Sequence, residues 1–195
     1  GGLESMVQRV YRQIHEVDPD ARVTIATSKT QISSIYSQLG QEVGICIEPC
    51  RRDTFPAITL AAAYLKDVQG VAENEPIVIC PVDPYVEKDY FEALQDLCKR
   101  AGESDANLVL MGIEPTYPSE KYGYIIPETA KQLSRVTMFR EKPTKEVAQE
   151  YIAQGALWNG GVFALRLGYV LKRAHELIEF TDYEDLFQKY DTLQK

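Results

Sequence analysis

Short apolar runs alternate with amphipathic helical patterns over the first 113 residues of the chain. Apolar residues at three- and four-residue spacing predict helices, and short continuous apolar runs predict buried strands. The predicted strands cover residues 23–27, 43–47, 76–80 and 107–113, and the predicted helices cover 4–17, 32–39, 54–65 and 88–100. Such alternation is typical of a parallel sheet covered by helices. The sequence therefore predicts an α/β fold with a mostly parallel central sheet and helices on both faces.

The pattern changes after residue 113. Residues 122–126 and 136–139 read as strands with no helix between them, and a helix is predicted over 144–154. Leu157 and the apolar run 162–165 flank Asn159-Gly160-Gly161, and the remaining residues are helical in pattern and rich in polar side chains. Because the chain has no internal repeat, low-complexity segment or linker, we predict a single domain over residues 1–195.

The charge of the chain restricts the classes of ligand that it can bind. The 195 residues carry a net charge of −8 and have no Lys/Arg cluster beyond short pairs such as Arg51-Arg52. Binding to nucleic acid needs clustered cations, so we expect no nucleic-acid partner, whereas a small phosphorylated ligand needs only a few. No apolar run is long enough to span a bilayer, and the N-terminus has no signal-peptide pattern. We therefore expect a cytoplasmic protein without a membrane partner.

Four cysteines are present, at positions 46, 50, 80 and 98. Their spacing matches no zinc-ribbon or redox pattern, which favours reduced and mostly buried thiols. Cys46 and Cys50 are close enough in sequence that a metal site remains an alternative.

Polar residues follow two of the predicted strands. Asp83 comes directly after the 76–80 run, at the edge of the sheet where open α/β folds bind ligands, and its carboxylate suits Mg²⁺. The alternative is an Asp that only caps the turn before the next helix. Glu48 and Arg52 flank the loop that leads to a helix N-terminus at Asp53 or Thr54, which could accept a base or a phosphate. A capped helix with a solvated Arg pair is the competing interpretation.

The second half of the chain carries three further candidates. Glu141 and Lys142 are adjacent, so on an extended strand they would point to opposite faces, one toward hydroxyls and one toward a phosphate, rather than form an ion pair. Asn159 precedes two glycines, which indicates close approach of a ligand to the backbone or a hairpin turn. Gly123 lies between two tyrosines and marks either a ligand contact or a bulge. The alternative interpretation of Glu141 and Lys142 is a polar end of a strand that Pro143 closes.

None of these signals is specific by itself, but their order along the chain is. The motifs occur in the order EPCRRDTFPAI, PVDPYVEKDYF, GIEPTYPSEKYGYI, FREKPT and ALWNGGVF. This order resembles the mannose-1-phosphate guanylyltransferases of the sugar-1-phosphate nucleotidyltransferase family, and the resemblance extends from about Glu4 to Tyr190. It implies a Rossmann-like, GT-A-like nucleotidyltransferase fold. It also implies an enzyme that forms GDP-mannose and pyrophosphate from GTP and mannose 1-phosphate.

The resemblance assigns roles to the candidate residues. Asp83 would be a Mg²⁺ ligand and, with Lys142, a catalytic residue. The residues around the guanine and ribose would be Glu48, Arg52, Asp53 and Thr54, although many relatives have Asn in place of Asp53. The residues around mannose and its phosphate would be Gly123, Glu141, Lys142 and Asn159, with Lys142 on the phosphate.

The chain also departs from the family pattern. A first strand with a Gly-rich triphosphate-binding loop and a later metal-binding Asp are expected in the family and are not found here. We therefore expect a piece truncated at both ends, inactive by itself, with an empty position in its sheet. A nucleotidyltransferase for another sugar 1-phosphate, a non-catalytic GDP-mannose-binding regulator, a homo-oligomer and a linked phosphomannose isomerase domain all remain open.

Overall fold

The computed structural model describes residues 3–82, 86–103 and 105–193. The chain divides into two compact units, Gly1–Leu108 with Ala164–Lys195, and Val109–Phe163. Among the described residues, no helix is long and apolar enough to cross a membrane.

The helices and strands lie close to the ranges that the apolar pattern predicts. The helices are α1 Met6–Val17, α2 Ile32–Leu39, α3 Thr54–Asp67, α4 Lys88–Glu103, α5 Lys145–Ala153, α6 Leu167–Leu177 and α7 Tyr183–Lys189. Short 3-10 helices cover Lys29–Gln31 and Tyr190–Thr192. The strands are β1 Thr24–Ser28, β2 Gly44–Glu48, β3 Pro76–Ile79, β4 Val109–Ile113, β5 Gly123–Pro127, β6 Val136–Glu141 and β7 Leu157–Arg166.

Local signals explain where the first helices begin and end. Ser5 caps α1 through a capping box, in which its hydroxyl accepts the Gln8 N–H at 3.2 Å and the Gln8 side chain accepts the Ser5 N–H at 3.0 Å. These two bonds satisfy donors that a helix N-terminus would otherwise leave without partners. Gly40 ends α2 with φ 85°, a left-handed conformation that glycine adopts without steric cost. The predicted stop of α2 at Gly40 is confirmed.

In the first unit, β1 and β2 form a parallel pair in which Ile25 lies opposite Ile45. The packing at this pair is apolar, since Ile35, Val43 and Ile45 form a buried cluster. The end of β7 lies beside the start of β3, where the Leu167 N–H donates to Glu75 O at 3.0 Å.

A cavity of about 1040 Å³ lies within the first unit. Its lining includes residues of β1 and β3, with apolar residues of α1, α3 and α4. Among the described residues, β1 pairs only with β2 and β3 pairs only with β7, so each strand turns an open edge away from its partner.

The second unit is an antiparallel arrangement. β5 pairs with β6, Gly123 lying opposite Glu141, and also with β7, Tyr124 lying opposite Trp158. Tyr124 is fully buried in a cluster with Ala148 of α5, and its hydroxyl donates to Ser119 O at 2.9 Å. The buried side of β5 therefore holds α5 against the strands, whereas every residue of β6 is exposed.

The predicted α/β class is confirmed, but the prediction of a mostly parallel sheet is wrong for the described strands whose direction we give. Of these pairs, β1 and β2 run parallel, while β5 is antiparallel to both β6 and β7. Strands joined by a short connection, such as β5 and β6, reverse direction because a parallel pair needs a longer crossover. An apolar run indicates burial of a strand but not the direction of its neighbour.

Candidate functional site

In the first unit, the end of β2 leads to the N-terminus of α3 through a short loop, residues 48–53. Asp53 is the N-cap residue of α3 but its side chain makes no capping hydrogen bond. The side chains of Asp53 and Thr54 are exposed. The first-turn N–H groups and the helix dipole favour an anionic or acceptor group at this place.

The Glu48 carboxylate is held by two donors. Its Oε1 accepts the Arg52 backbone N–H at 3.2 Å and the Tyr190 hydroxyl at 2.7 Å. The first bond spans the loop, and the second joins residues that are 142 positions apart in the sequence. Glu48, the first residue of the 48–53 loop, therefore fixes the shape of that loop.

The Arg52 side chain points along the same segment. Its guanidinium donates to the backbone carbonyl of Asp191 and, through Nη1, to Arg51 O at 3.3 Å. The Arg52 Nε is enclosed and has no acceptor among the residues that the structure describes. The solvated Arg pair that the sequence left open does not describe Arg52, whose side chain is half-buried, whereas Arg51 is exposed.

Asp83 lies outside the described residues, so its metal-binding role stays a prediction. The preceding strand, β3, ends at Ile79 as that role requires. Over the parts of the chain that are described, no three His, Cys, Asp or Glu side chains form a group that could hold a metal ion.

In the second unit, Gly123 and Glu141 form one rung of the β5–β6 ladder. A β-carbon on Gly123 would lie 2.7 Å from Glu141 Oε2 and 3.1 Å from Phe139 Cζ. The glycine therefore leaves the space into which the carboxylate folds across the strand. The Glu141 side chain remains 56% exposed, so it is open to a ligand.

Directly after the end of β6, the chain turns at Lys142. Its φ of 44° lies in the left-handed region, and its N–H donates to Tyr122 O at 3.2 Å. The Lys142 ammonium lies 3.8 Å from Glu141 Oε1. Our prediction that these side chains point to opposite faces and form no ion pair is wrong, because β6 ends at Glu141 and the turn at Lys142 brings its side chain back.

Asn159 lies inside β7 and not in a hairpin turn, which removes the hairpin alternative. Its Oδ1 accepts the Gly161 N–H at 3.2 Å, and Gly161 has φ 71°. A β-carbon on Gly160 would lie 2.7 Å from Ile113 Cδ1, so β4 approaches the strand closely at this point. Two glycines are needed here for packing and for backbone conformation, and Asn159 holds that conformation.

Two features of the sites were not predicted. Tyr190 lies in the C-terminal segment, for which the sequence predicts only a helical pattern, and no local signal could connect it to Glu48. In the second unit, the Trp158 ring lies between Tyr117 and Tyr122, with ring centroids 5.1 and 4.9 Å away. The Trp158 indole nitrogen is buried without a hydrogen-bond partner among the described residues. Clustered aromatic rings at this spacing are visible only in the fold.

The cysteines of the chain are free thiols. Cys46, two residues before Glu48 on the same face of β2, is 2% exposed. Burial, followed by the charge of Glu48, raises the pKa of the Cys46 thiol to about 12. Such a thiol is a core residue with little nucleophilic character, in agreement with the predicted buried thiol.

Comparison with known proteins gives consistent matches. A family model described as Nucleotidyl transferase matches residues 1–191. A mannose-1-phosphate guanylyltransferase of Escherichia coli (strain K12) is 31% identical over 180 residues, which cover 86% of this chain and 37% of the relative. The xanthan biosynthesis protein XanB of Xanthomonas campestris is 31% identical over 177 residues, covering 88% and 37%. The chain therefore spans little more than a third of these curated relatives.

Solved structures share the fold. A structure from Thermus thermophilus, described as a mannose-1-phosphate geranyltransferase, has a TM-score of 0.76 and 26% identity, covering 94% of this chain and 57% of that one. A Helicobacter pylori structure, described as a mannose-6-phosphate isomerase, has a TM-score of 0.73 and 20% identity, covering 89% and 66%. At 20% identity the second likeness supports the fold alone.

Proposed function

Because the chain belongs to the nucleotidyl transferase family, we propose that its protein forms GDP-mannose and pyrophosphate from GTP and mannose 1-phosphate. The names of the curated relatives, among them mannose-1-phosphate guanylyltransferases, support this choice of substrates. The observation that carries the proposal is the arrangement at Gly123, Glu141 and Lys142. It offers an open carboxylate and an open ammonium 3.8 Å apart.

This arrangement suits a phosphorylated sugar. A carboxylate accepts hydrogen bonds from two sugar hydroxyls, and an ammonium neutralises a phosphate as a point charge. Both side chains are more than half exposed, so their mutual attraction is weak and each can exchange its partner for a ligand. We assign Glu141 to the mannose hydroxyls, Lys142 to the sugar phosphate, and Gly123 and Asn159 to the backbone surface beside them.

For the nucleotide, we assign the 48–53 loop and the first turn of α3. Asp53 and Thr54 present exposed side chains there, and the free N–H groups of the helix start favour acceptor atoms. Glu48 and Arg52 hold the loop that carries these groups. Their hydrogen bonds leave only part of each side chain open to a base or ribose.

Mg²⁺ is part of this proposal, with Asp83 as its protein ligand. Mg²⁺ usually keeps several waters and takes one or two carboxylates together with substrate phosphates. Asp83, which follows β3 in the sequence, would supply one such carboxylate. When bound, the ion would neutralise charge on the triphosphate.

The reaction needs no protein nucleophile. A phosphate oxygen of mannose 1-phosphate attacks the α-phosphorus of GTP, the bond from that phosphorus to the β-phosphate oxygen breaks, and pyrophosphate leaves with the electron pair. Both reactants are anions, so the protein contributes mainly alignment and charge neutralisation. Lys142 holds the attacking phosphate and Glu141 orients the sugar that carries it.

Turnover measurements on the full-length protein test the proposal. We expect pyrophosphate release with GTP and mannose 1-phosphate to exceed release with ATP or with glucose 1-phosphate. Asp83→Asn should reduce turnover at least ~100-fold with little change in unfolding temperature, because one charge is lost from the metal site. Equal turnover with another sugar phosphate would contradict the substrate assignment, and ligand binding without turnover would indicate a regulator.

A further inference from the structure

The last described residues of the chain are hydrogen-bonded to both ends of α3. We call residues 183–192, which are α7 and the 3-10 helix after it, the C-terminal strap. At the C-terminal end of α3, Asp67 Oδ2 accepts the Tyr183 N–H at 2.8 Å. At the N-terminal end, Glu48 accepts the Tyr190 hydroxyl, and Arg52 donates to the Asp191 carbonyl. The strap, which also packs on α3, therefore connects the helix with the loop before it.

Tyr190 is the buried point of this connection. Its side chain is fully buried, although a phenol hydroxyl would otherwise favour water. Its hydroxyl is 2.7 Å from Glu48 Oε1, the same oxygen that accepts the Arg52 N–H across the loop. Removing this donor would leave a partly buried carboxylate oxygen with one bond fewer, and that oxygen would turn toward water.

The bond is present across the physiological pH range. Burial, followed by the hydrogen bond to Glu48 and its charge, raises the pKa of Tyr190 above its usual range. The hydroxyl therefore remains a donor, and the loop is held in one form. Because Tyr190 is enclosed, it cannot touch a ligand that binds at the exposed start of α3, and it acts only through Glu48.

We propose that Tyr190 is a positioning residue, whose hydroxyl holds the 48–53 loop through Glu48 in the form that accepts a nucleotide at the start of α3. This inference rests on the proposed function for the identity of the ligand. It assigns Glu48 to shaping the loop through Oε1, in place of direct contact with the nucleotide by that oxygen.

Kinetics of the full-length protein test the assignment. Tyr190→Phe keeps the ring and removes only the donor, and we expect KM for GTP to rise about tenfold. KM for mannose 1-phosphate and kcat should stay within about twofold. Tyr183→Phe is the matched control, because it removes a hydroxyl from the same strap that makes no bond to the loop, and its KM for GTP should not change. Equal changes in both KM values, or none, would overturn the proposal.

Substitutions at Glu48 examine the same bond from its other side and serve if Tyr190→Phe does not fold. Glu48→Ala should raise KM for GTP as Tyr190→Phe does, whereas Glu48→Gln, which keeps an acceptor for the Tyr190 hydroxyl, should raise it less. If Glu48→Gln were as harmful as Glu48→Ala, the charge itself would contact the nucleotide and Tyr190 would have no positioning role.

Calorimetric binding of GTP separates this inference from the proposed function. If the natural protein binds GTP without turnover, the proposed reaction fails, and the affinities of Tyr190→Phe and Tyr183→Phe still decide the role of Tyr190. If the natural protein binds no GTP, both are overturned.

Discussion

A β-carbon on Gly123 would lie 2.7 Å from Oε2 of Glu141, the residue opposite it across the β5–β6 ladder. The atom that it would meet is the far end of a flexible, half-exposed side chain, with the Phe139 ring next at 3.1 Å. The carboxylate can therefore turn away at little cost in energy. The glycine sets the direction of the Glu141 side chain far more than it sets the stability of the strands.

We therefore predict that Gly123→Ala separates stability from sugar recognition. The free energy of unfolding should change by no more than about 1 kcal/mol, because reduced backbone freedom in the unfolded chain offsets crowding. KM for mannose 1-phosphate in the full-length protein should rise about tenfold through loss of a hydrogen bond to a charged group. Chemical denaturation and initial rates give the two values.

A double-mutant cycle with Glu141→Ala is the control for this prediction. If Gly123 acts only by directing the carboxylate, Gly123→Ala should add nothing in the Glu141→Ala background. Additive effects of the two substitutions would mean that Gly123 contacts the sugar through its own backbone.

Lys142 allows its charge to be tested apart from its strained backbone. Its φ of 44° costs a non-glycine residue about 1 kcal/mol, which Lys142→Gly relieves and Lys142→Met does not. The ion pair with Glu141 is exposed, so its loss changes the stability of either variant little. Lys142→Gly should therefore unfold at the same or a higher denaturant concentration than Lys142→Met.

Both Lys142 variants should raise KM for mannose 1-phosphate by at least about tenfold, because each loses the ammonium. Lys142→Arg, which keeps the charge, should fall between them and the natural protein. A rise in KM for GTP alone would show that the two anions are assigned to the wrong sites.

The sequence was sufficient to predict most helices and strands, because their signals are local. Pro76 begins β3 and Gly40 ends α2, each for a reason that lies in its own backbone chemistry. The two glycines after Asn159 predicted a ligand approach or a hairpin turn, whereas the neighbour of Gly160 in the structure is Ile113 of β4.

Relations between distant residues could not be predicted in this way. The apolar run of β3 indicates burial equally for a parallel or an antiparallel neighbour, and the mixed strand directions follow from which strands pair. The bond from Tyr190 to Glu48 joins residues that no periodic pattern connects. Lys142 was placed on an extended strand because a left-handed φ at a lysine has no sequence signal.

The Cys46 thiol and the Tyr183 phenol predict how the stability of the chain responds to alkaline pH. The pKa of Cys46 is raised to about 12 by burial, from an ordinary value of 9.0, and burial also raises the pKa of Tyr183 to about 12, from 10.0. Both groups keep their protons in the folded chain and lose them in the unfolded chain at lower pH. Their stabilising contribution is complete below about pH 9 and is lost as the pH rises toward 12.

We expect Cys46 to lower the free energy of unfolding by about 1.4 kcal/mol per pH unit between about pH 9 and 12, and Tyr183 to lower it further only above about pH 10. Cys46→Ala should make this slope shallower from about pH 9 upward, and Tyr183→Phe should do so only above about pH 10. All three proteins should share one slope between about pH 7 and 8.5. An unchanged slope in Cys46→Ala, measured by denaturant unfolding across the range, would contradict the prediction.

The cavity lined by β1 and β3 could accept an apolar ligand. Both of these strands line the cavity, each has an edge without a strand partner among the described residues, and the lining is largely apolar. An extended apolar segment could pair with these strand edges and also bury its side chains against the apolar lining. A dye that binds apolar surface would contact the apolar lining but would form no strand pairing.

We predict that the 195-residue chain binds a hydrophobic dye in its native state and that an apolar β-strand peptide displaces it. A peptide of about seven residues of valine, isoleucine and threonine, flanked by lysines for solubility, should lower the fluorescence of bound anilinonaphthalene sulfonate in a saturable way. The matched peptide with proline at alternate positions keeps its apolar character but loses the N–H donors of the ladder, and it should compete at least about tenfold more weakly. Equal competition by the two peptides would mean that the cavity binds apolar matter without strand pairing. Absence of dye binding by folded chain would mean that the cavity closes in solution.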